Sequence, residues 1–236
     1  QELTAYSNVP FIVTFPKSRI IDESSFGPKV DFSTGRSPFS VAVGDLDGDG
    51  RSDLIVSNSL DSTISVLRNT SITGSISTSS FAGKVDFPTG RSPYSVAIGD
   101  LDGDGKLDLA TANYLGGTVS VFLNRSVSGS ITATSFGPKV DFTVGGGPES
   151  ITIGDLNGDG RPDIVVANTS SDNISILRNT GARGSIIQSS FAFKVDCATG
   201  DRPVSVAFGD LNGDGNPDLA VANDGSGTVS VFQNTS

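Results

Sequence analysis

The stretch Val41-Ala-Val-Gly-Asp45-Leu-Asp-Gly-Asp-Gly50-Arg-Ser-Asp53-Leu-Ile-Val-Ser-Asn58 sets two short apolar runs around a loop of alternating Asp residues. The same loop returns as Asp100-Leu-Asp-Gly-Asp-Gly105, Asp155-Leu-Asn-Gly-Asp-Gly160 and Asp210-Leu-Asn-Gly-Asp-Gly215, 55 residues apart each time. Self-similarity at a fixed period marks a repeat architecture. A third apolar run follows each pair, as in Thr118-Val-Ser-Val-Phe and Thr228-Val-Ser-Val-Phe. A fourth is Phe81-Ala-Gly-Lys-Val-Asp-Phe87, matched by residues 26–32, 136–142 and 191–197.

The runs are short, β-branched and bounded by Gly, Pro, Asn and Ser, so they read as strands. No stretch carries a sustained 3.6-residue period. The fourth run alternates, with Lys84 and Asp86 out and Val85 and Phe87 in, as an exposed outer strand does. The first run is apolar or small on both faces, as an inner strand is. Each repeat is therefore expected to be a four-stranded antiparallel unit, ordered from inside to outside. Such a sheet cannot bury both faces alone, but sheets packed face to face around an axis can. The expected fold is an all-β propeller of four four-stranded blades over residues 26–236. The last repeat ends after its third strand, near Val231-Phe232, and the missing fourth is present as Phe26-Gly-Pro-Lys-Val-Asp-Phe32. Closure by that N-terminal outer strand is expected, since it hides the edges of an open array. The alternative is half of a larger propeller formed by two chains. Residues 1–25 are an arm with one surplus strand, Asn8-Val-Pro-Phe-Ile-Val-Thr-Phe15. It either packs on its own domain or adds to another subunit's edge.

Oxygen donors at loop positions 1, 3, 5 and 9, with a backbone carbonyl at position 7, suit calcium, and Gly at position 6 permits the turn. The expected ligands of the first site are Asp45, Asp47, Asp49, the Arg51 carbonyl and Asp53. The second uses Asp100, Asp102, Asp104, the Lys106 carbonyl and Asp108. The third uses Asp155, Asn157, Asp159, the Arg161 carbonyl and Asp163. The fourth uses Asp210, Asn212, Asp214, the Asn216 carbonyl and Asp218. Tight turns alone also favour Asp and Gly. Four copies with one ligand spacing, holding more than half of the 26 acidic residues, go beyond that need. Carboxylates crowded into one turn repel unless a cation neutralises them. About four Ca²⁺ are expected, one per repeat. Zinc is disfavoured, because the chain has no His and one Cys. These loops are not EF-hands: strands flank them, and position 12 is Val56, Thr111, Val166 or Val221 instead of Glu.

The Asp-x-Asp-x-Asp-Gly-x-x-Asp loop between two short apolar strands resembles the FG-GAP/VCBS repeat, which builds the blades of the integrin α-subunit propeller and of fungal lectins. The resemblance covers residues 26–236. It implies a calcium-braced propeller, an extracellular, secreted or cell-surface setting, and a role in cell adhesion or carbohydrate binding. Family propellers usually have seven blades, and here there are four repeats.

The net charge of −10 disfavours nucleic acid and anionic membranes as partners. No apolar run reaches the roughly 18 residues of a membrane span, and a chain beginning at Gln1 reads as a processed product. An enzyme is not expected, since no carboxylate pair stands out as acid and base. The second end of the blades, opposite the acidic loops, is where the repeats differ. Arg36, Phe39, Arg91, Tyr94 and Tyr114 lie there, and Arg beside aromatic residues suits carbohydrate or acidic groups; drift of solvated loops is the alternative reading. Asn69, Asn124, Asn168, Asn173 and Asn234 fall in N-x-Ser/Thr sequons, read as recurring strand-end residues in preference to glycan sites. Cys197 stands where other repeats have Phe32, Phe87 and Phe142, and reads as a small buried hydrophobe. Three functions follow: an extracellular binding or adhesion module for carbohydrate or protein; a structural subunit of an assembly or fibre, a homo-oligomer joined through residues 1–25; and an accessory domain of a secreted polysaccharide-active enzyme.

Overall fold

The computed structural model describes residues 25–236, so the surplus strand expected over Asn8–Phe15 lies outside the described residues. The chain divides into two units, Gln1–Asp31 and Phe32–Ser236. In the first, the Lys29 ammonium pairs with Asp31. The second is all β, and its fifteen strands form four sheets.

The first sheet holds β1 (Pro38–Gly44), β2 (Asp53–Asn58), β3 (Thr63–Leu67) and β4 (Val85–Pro88), hydrogen-bonded in that order. The second repeats it with β5 (Pro93–Gly99), β6 (Asp108–Asn113), β7 (Thr118–Phe122) and β8 (Val140–Thr143). The third uses β9 (Pro148–Gly154), β10 (Asp163–Asn168), β11 (Asn173–Leu177) and β12 (Val195–Ala198). The fourth has β13 (Pro203–Gly209), β14 (Asp218–Asn223) and β15 (Thr228–Phe232), and ends there. Every pairing is antiparallel, and the register of β1 on β2, from Pro38↔Asn58 to Gly44↔Asp53, returns in each sheet.

The second strands are buried along almost their whole length, as β6 and β10 are at all six positions, because sheets cover both of their faces. The core lies between sheets. Ile55, Ile64, Val66 and Phe87 of the first meet Val96, Leu109 and Phe122 of the second, with Phe136 beyond. Phe87 and Phe136 pack edge to face at 5.1 Å, as do Phe142 and Phe191 at 4.9 Å. Each such aromatic pair adds about 0.5–1.5 kcal/mol to the burial of its area. Successive inner strands touch in order, β1 with β5, β5 with β9 and β9 with β13.

The structure differs from the expected closed ring in one respect. Residues 26–32 form no strand, and no fourth strand pairs with β15 among the described residues. Among the described residues the four sheets make a propeller-like arc, with no further strand paired at either end. The physical sign is Val41, 60% exposed, where its counterparts Val96, Ile151 and Val206 are 6–7% exposed. Phe32 is nonetheless seated, edge to face with Phe81 at 4.9 Å, in the manner of the internal Phe pairs.

Sheet spacing depends on inner-strand glycines. A Cβ on Gly154 would lie within 3 Å of the Phe208 ring of the next sheet. Gly154→Ala is expected to lower unfolding free energy by about 1–3 kcal/mol through overpacking, as read by urea titration.

Candidate metal centre

Each acidic loop joins an inner strand to its neighbour. Two glycines make the reversal: Gly48 and Gly50 have φ of 68° and 84°, and Gly103 and Gly105 have 74° and 94°. Only Gly enters that region without a steric cost. The sequence had marked position 6 for this role; position 4 has it as well.

Position 1 anchors the turn. Asp45 Oδ2 accepts from the Gly50 N–H at 2.8 Å and its Oδ1 from Asp49 N–H at 3.1 Å. Asp155 and Asp210 do the same in their loops, and Asp100 accepts from Gly105. The position-5 carboxylates of Asp49, Asp104, Asp159 and Asp214 accept from the N–H of Arg51, Lys106, Arg161 and Asn216 at 2.8–2.9 Å. Position 9 ties the loop to the segment just past the third strand. Asp53 accepts from Leu46 N–H at 2.9 Å and from Asn69 N–H at 2.8 Å. Asp108, Asp163 and Asp218 make the equivalent pair of bonds.

Two carboxylate triads converge among the described residues. Oxygens of Asp45, Asp47 and Asp49 lie within 4.8 Å of one another, as do those of Asp100, Asp102 and Asp108. Asp47 Oδ2, Asp100 Oδ1 and Asp102 Oδ2 are buried with no hydrogen-bond partner. An unpartnered buried oxygen is costly unless a cation takes it. This all-oxygen donor set fits a hard divalent cation such as calcium. In the third and fourth loops Asn replaces the second carboxylate. Its amide donates instead to its neighbour, Asn157 to Asp159 at 3.2 Å and Asn212 to Asp214 at 2.8 Å.

Burial pushes the carboxyls of Asp47, Asp53, Asp102 and Asp163 upward. It carries Asp108 to about 7. The sequence located these residues but not this strain, which comes from the sheets stacked around them.

At the opposite end of the blades the structure brings three of the five expected ligand residues together. Phe39 and Tyr94 stack at 4.0 Å and 17°, and Tyr94 and Tyr114 at 4.4 Å and 14°. Phe39 stays 53% exposed. Arg36 is engaged by Asp61, which accepts from its backbone N–H and its Nε, each at 2.6 Å; Arg91 is exposed. Ser37 and Ser92 hold left-handed φ of 56° and 58° beside them, and Arg202 at 53° and Gly147 at 65° repeat it in the other two sheets, so this turn belongs to the repeat. Of the sequon residues, Asn124 and Asn168 are buried and serve as internal donors. Cys197 is half-buried, not fully enclosed.

A carboxyl whose folded value is raised binds protons more readily folded than unfolded. Metal-free stability therefore falls as pH rises from about 4 towards 7 and stays low above it. With a chelator present, the melting temperature is expected to be higher at pH 5 than at pH 8, Asp108 alone contributing up to about 3 kcal/mol between those two values. Differential scanning calorimetry at the two values checks the sign.

Among solved structures, the chain is similar to BBS1N in its complex with ARL6DN, at 15% identity and TM-score 0.52, covering 86% of this chain and 59% of that one. It is similar also to a candidate 6-phosphogluconolactonase from Bacteroides uniformis, at 20% identity and TM-score 0.53, covering 86% and 55%. The chain thus spans little more than half the length of these structures, and the likeness is one of fold. No curated protein matches its sequence. The family model described as the FG-GAP-like repeat matches three times, over residues 46–111, 102–166 and 155–221. The chain belongs to the FG-GAP-like repeat family.

Proposed function

We propose that the chain is an extracellular binding module, braced by calcium at one end of its blades and taking a carbohydrate at the other. The observation that carries the reading is the stack of Phe39, Tyr94 and Tyr114. Flat aromatic faces held rigid and part-exposed suit the apolar face of a sugar ring, and they lose little entropy on binding. Arg91, with Arg36 held by Asp61, supplies donors beside them. Loops on a rigid scaffold are the usual place for recognition.

Calcium, when bound, neutralises the loop carboxylates and fixes the turns; it has no part in contacting the ligand. Millimolar extracellular calcium would keep sites of moderate affinity filled. No helix among the described residues is long and apolar enough to cross a membrane. Catalysis is no part of this reading: the carboxyls with raised values sit in the acidic loops, away from the aromatic stack.

Two outcomes test the proposal. Phe39→Ala should weaken glycan-array or calorimetric binding by about threefold to tenfold, since one aromatic contact contributes about 0.5–1.5 kcal/mol and Phe39 is the exposed end ring of the stack. Wild-type affinity in that variant would overturn the carbohydrate reading. Isothermal titration with calcium should separate two tighter sites from two weaker ones, because Asn157 and Asn212 replace carboxylates in the third and fourth loops. Four equal sites would contradict that ranking.

A further inference from the structure

The three internal junctions between sheets repeat one set of contacts. A side chain from an inner strand enters the space beside a glycine in the preceding inner strand. A Cβ on Gly44 would lie within 3 Å of Ile98, on Gly99 within 3 Å of Ile153, and on Gly154 within 3 Å of Phe208. Nearby, the Asn124, Asn179 and Asn234 amides donate to the carbonyls of Leu46, Leu101 and Leu156 in the preceding acidic loop, at 2.6–2.8 Å.

The two ends of the arc carry the separated halves of one more such junction. At one end, Gly209 meets nothing within 4 Å where its counterparts receive a side chain. At the other, Val43, in register with Ile98, Ile153 and Phe208, is 58% exposed. Asn69 donates to Ser52 within its own sheet at 2.8 Å, and among the described residues no preceding loop carbonyl accepts from it. The faces match in kind. Val229 and Val231 of β15 are 64% and 60% exposed, while Val119 and Val121 of β7 are fully buried.

The edge of β15 repeats the pattern. Ser65, Ser120 and Ser175 each donate to the fourth-strand Asp beside them, at 2.6–2.7 Å. Ser230 holds the same register, and the matching fourth-strand sequence is Lys29-Val-Asp31-Phe32. A groove of about 360 Å³, lined by Cys197, Leu219 and Phe232, opens where a Phe at the start of the next fourth run would sit, as Phe136 sits on Phe87. Phe26 starts that run and is exposed.

We propose that this junction forms between two copies of the chain, head to tail. The first sheet of one copy covers the last sheet of the other, with Val43 beside Gly209, Asn69 donating to the Leu211 carbonyl, and residues 26–32 added to β15 as its fourth strand. The smaller Cys197 leaves room for Phe26. Such an interface is heterologous, and reciprocal closure gives a dimeric ring of about eight blades, within the known range of propellers.

The test is sedimentation equilibrium of the full chain in calcium. A mass of twice 24.2 kDa is expected. Val43→Asp and Val231→Asp alter opposite faces, both exposed in the single copy, so each variant should fold with unchanged far-UV circular dichroism and sediment as a monomer. Mixed in equal amounts they should form a 1:1 dimer, because one unaltered face remains on each. A wild-type monomer at every concentration would overturn the proposal. So would a dimer that survives in either variant, or a mixture that stays monomeric.

Discussion

The structure depends on the need of each small sheet to bury two apolar faces. Ile55, Ile64 and Val66 are completely covered only because Val96 and its neighbours on the next sheet lie against them. Sheet-on-sheet burial at about 25 cal/mol per Å² of apolar surface supplies the association. The glycines at the ends of the inner strands let backbones approach closely enough for side chains to interlock.

The acidic loops are part of that stacking, not appendages to it. The Leu46 carbonyl, inside the first loop, accepts from Asn124 and Ser126 of the next sheet, each at 2.8 Å. The Asp102 carbonyl accepts from Gly184 N–H at 2.9 Å. A cation that fixes one loop therefore also fixes where the following sheet rests. The cost appears in the carboxyls: packing removes water from Asp108 and Asp102, and burial is the first cause of their raised values. At the far end of the blades the described residues gather no carboxylate triad, and the acidic groups there pair with arginines, Asp61 with Arg36 and Asp224 with Arg202.

Much of this was legible in the sequence. The 55-residue spacing, the alternation in Lys84-Val-Asp-Phe87 and the two-sided apolar character of the inner runs give the strands and their order within each sheet. The loop spacing gives the position of the acidic groups. Other features were hidden because they depend on through-space neighbours far apart in the chain. The Asn124 and Asn234 amides look like strand-end residues, or sequons, until a carbonyl 78 residues away is placed against them. The stack of Phe39 on Tyr94 spans two sheets, and no local pattern announces that their rings are parallel.

The sequence by itself determined what is local and periodic: strand residues from alternation and β-branching, turns from paired glycines, and cation chemistry from oxygen donors at fixed spacing. Tertiary structure alone decided how sheets stack and where the stack stops. Val41 and Val96 are equivalent in sequence, yet one is exposed and the other buried. Their difference lies in whether a sheet precedes them in space, a property of packing that no residue carries in its own identity.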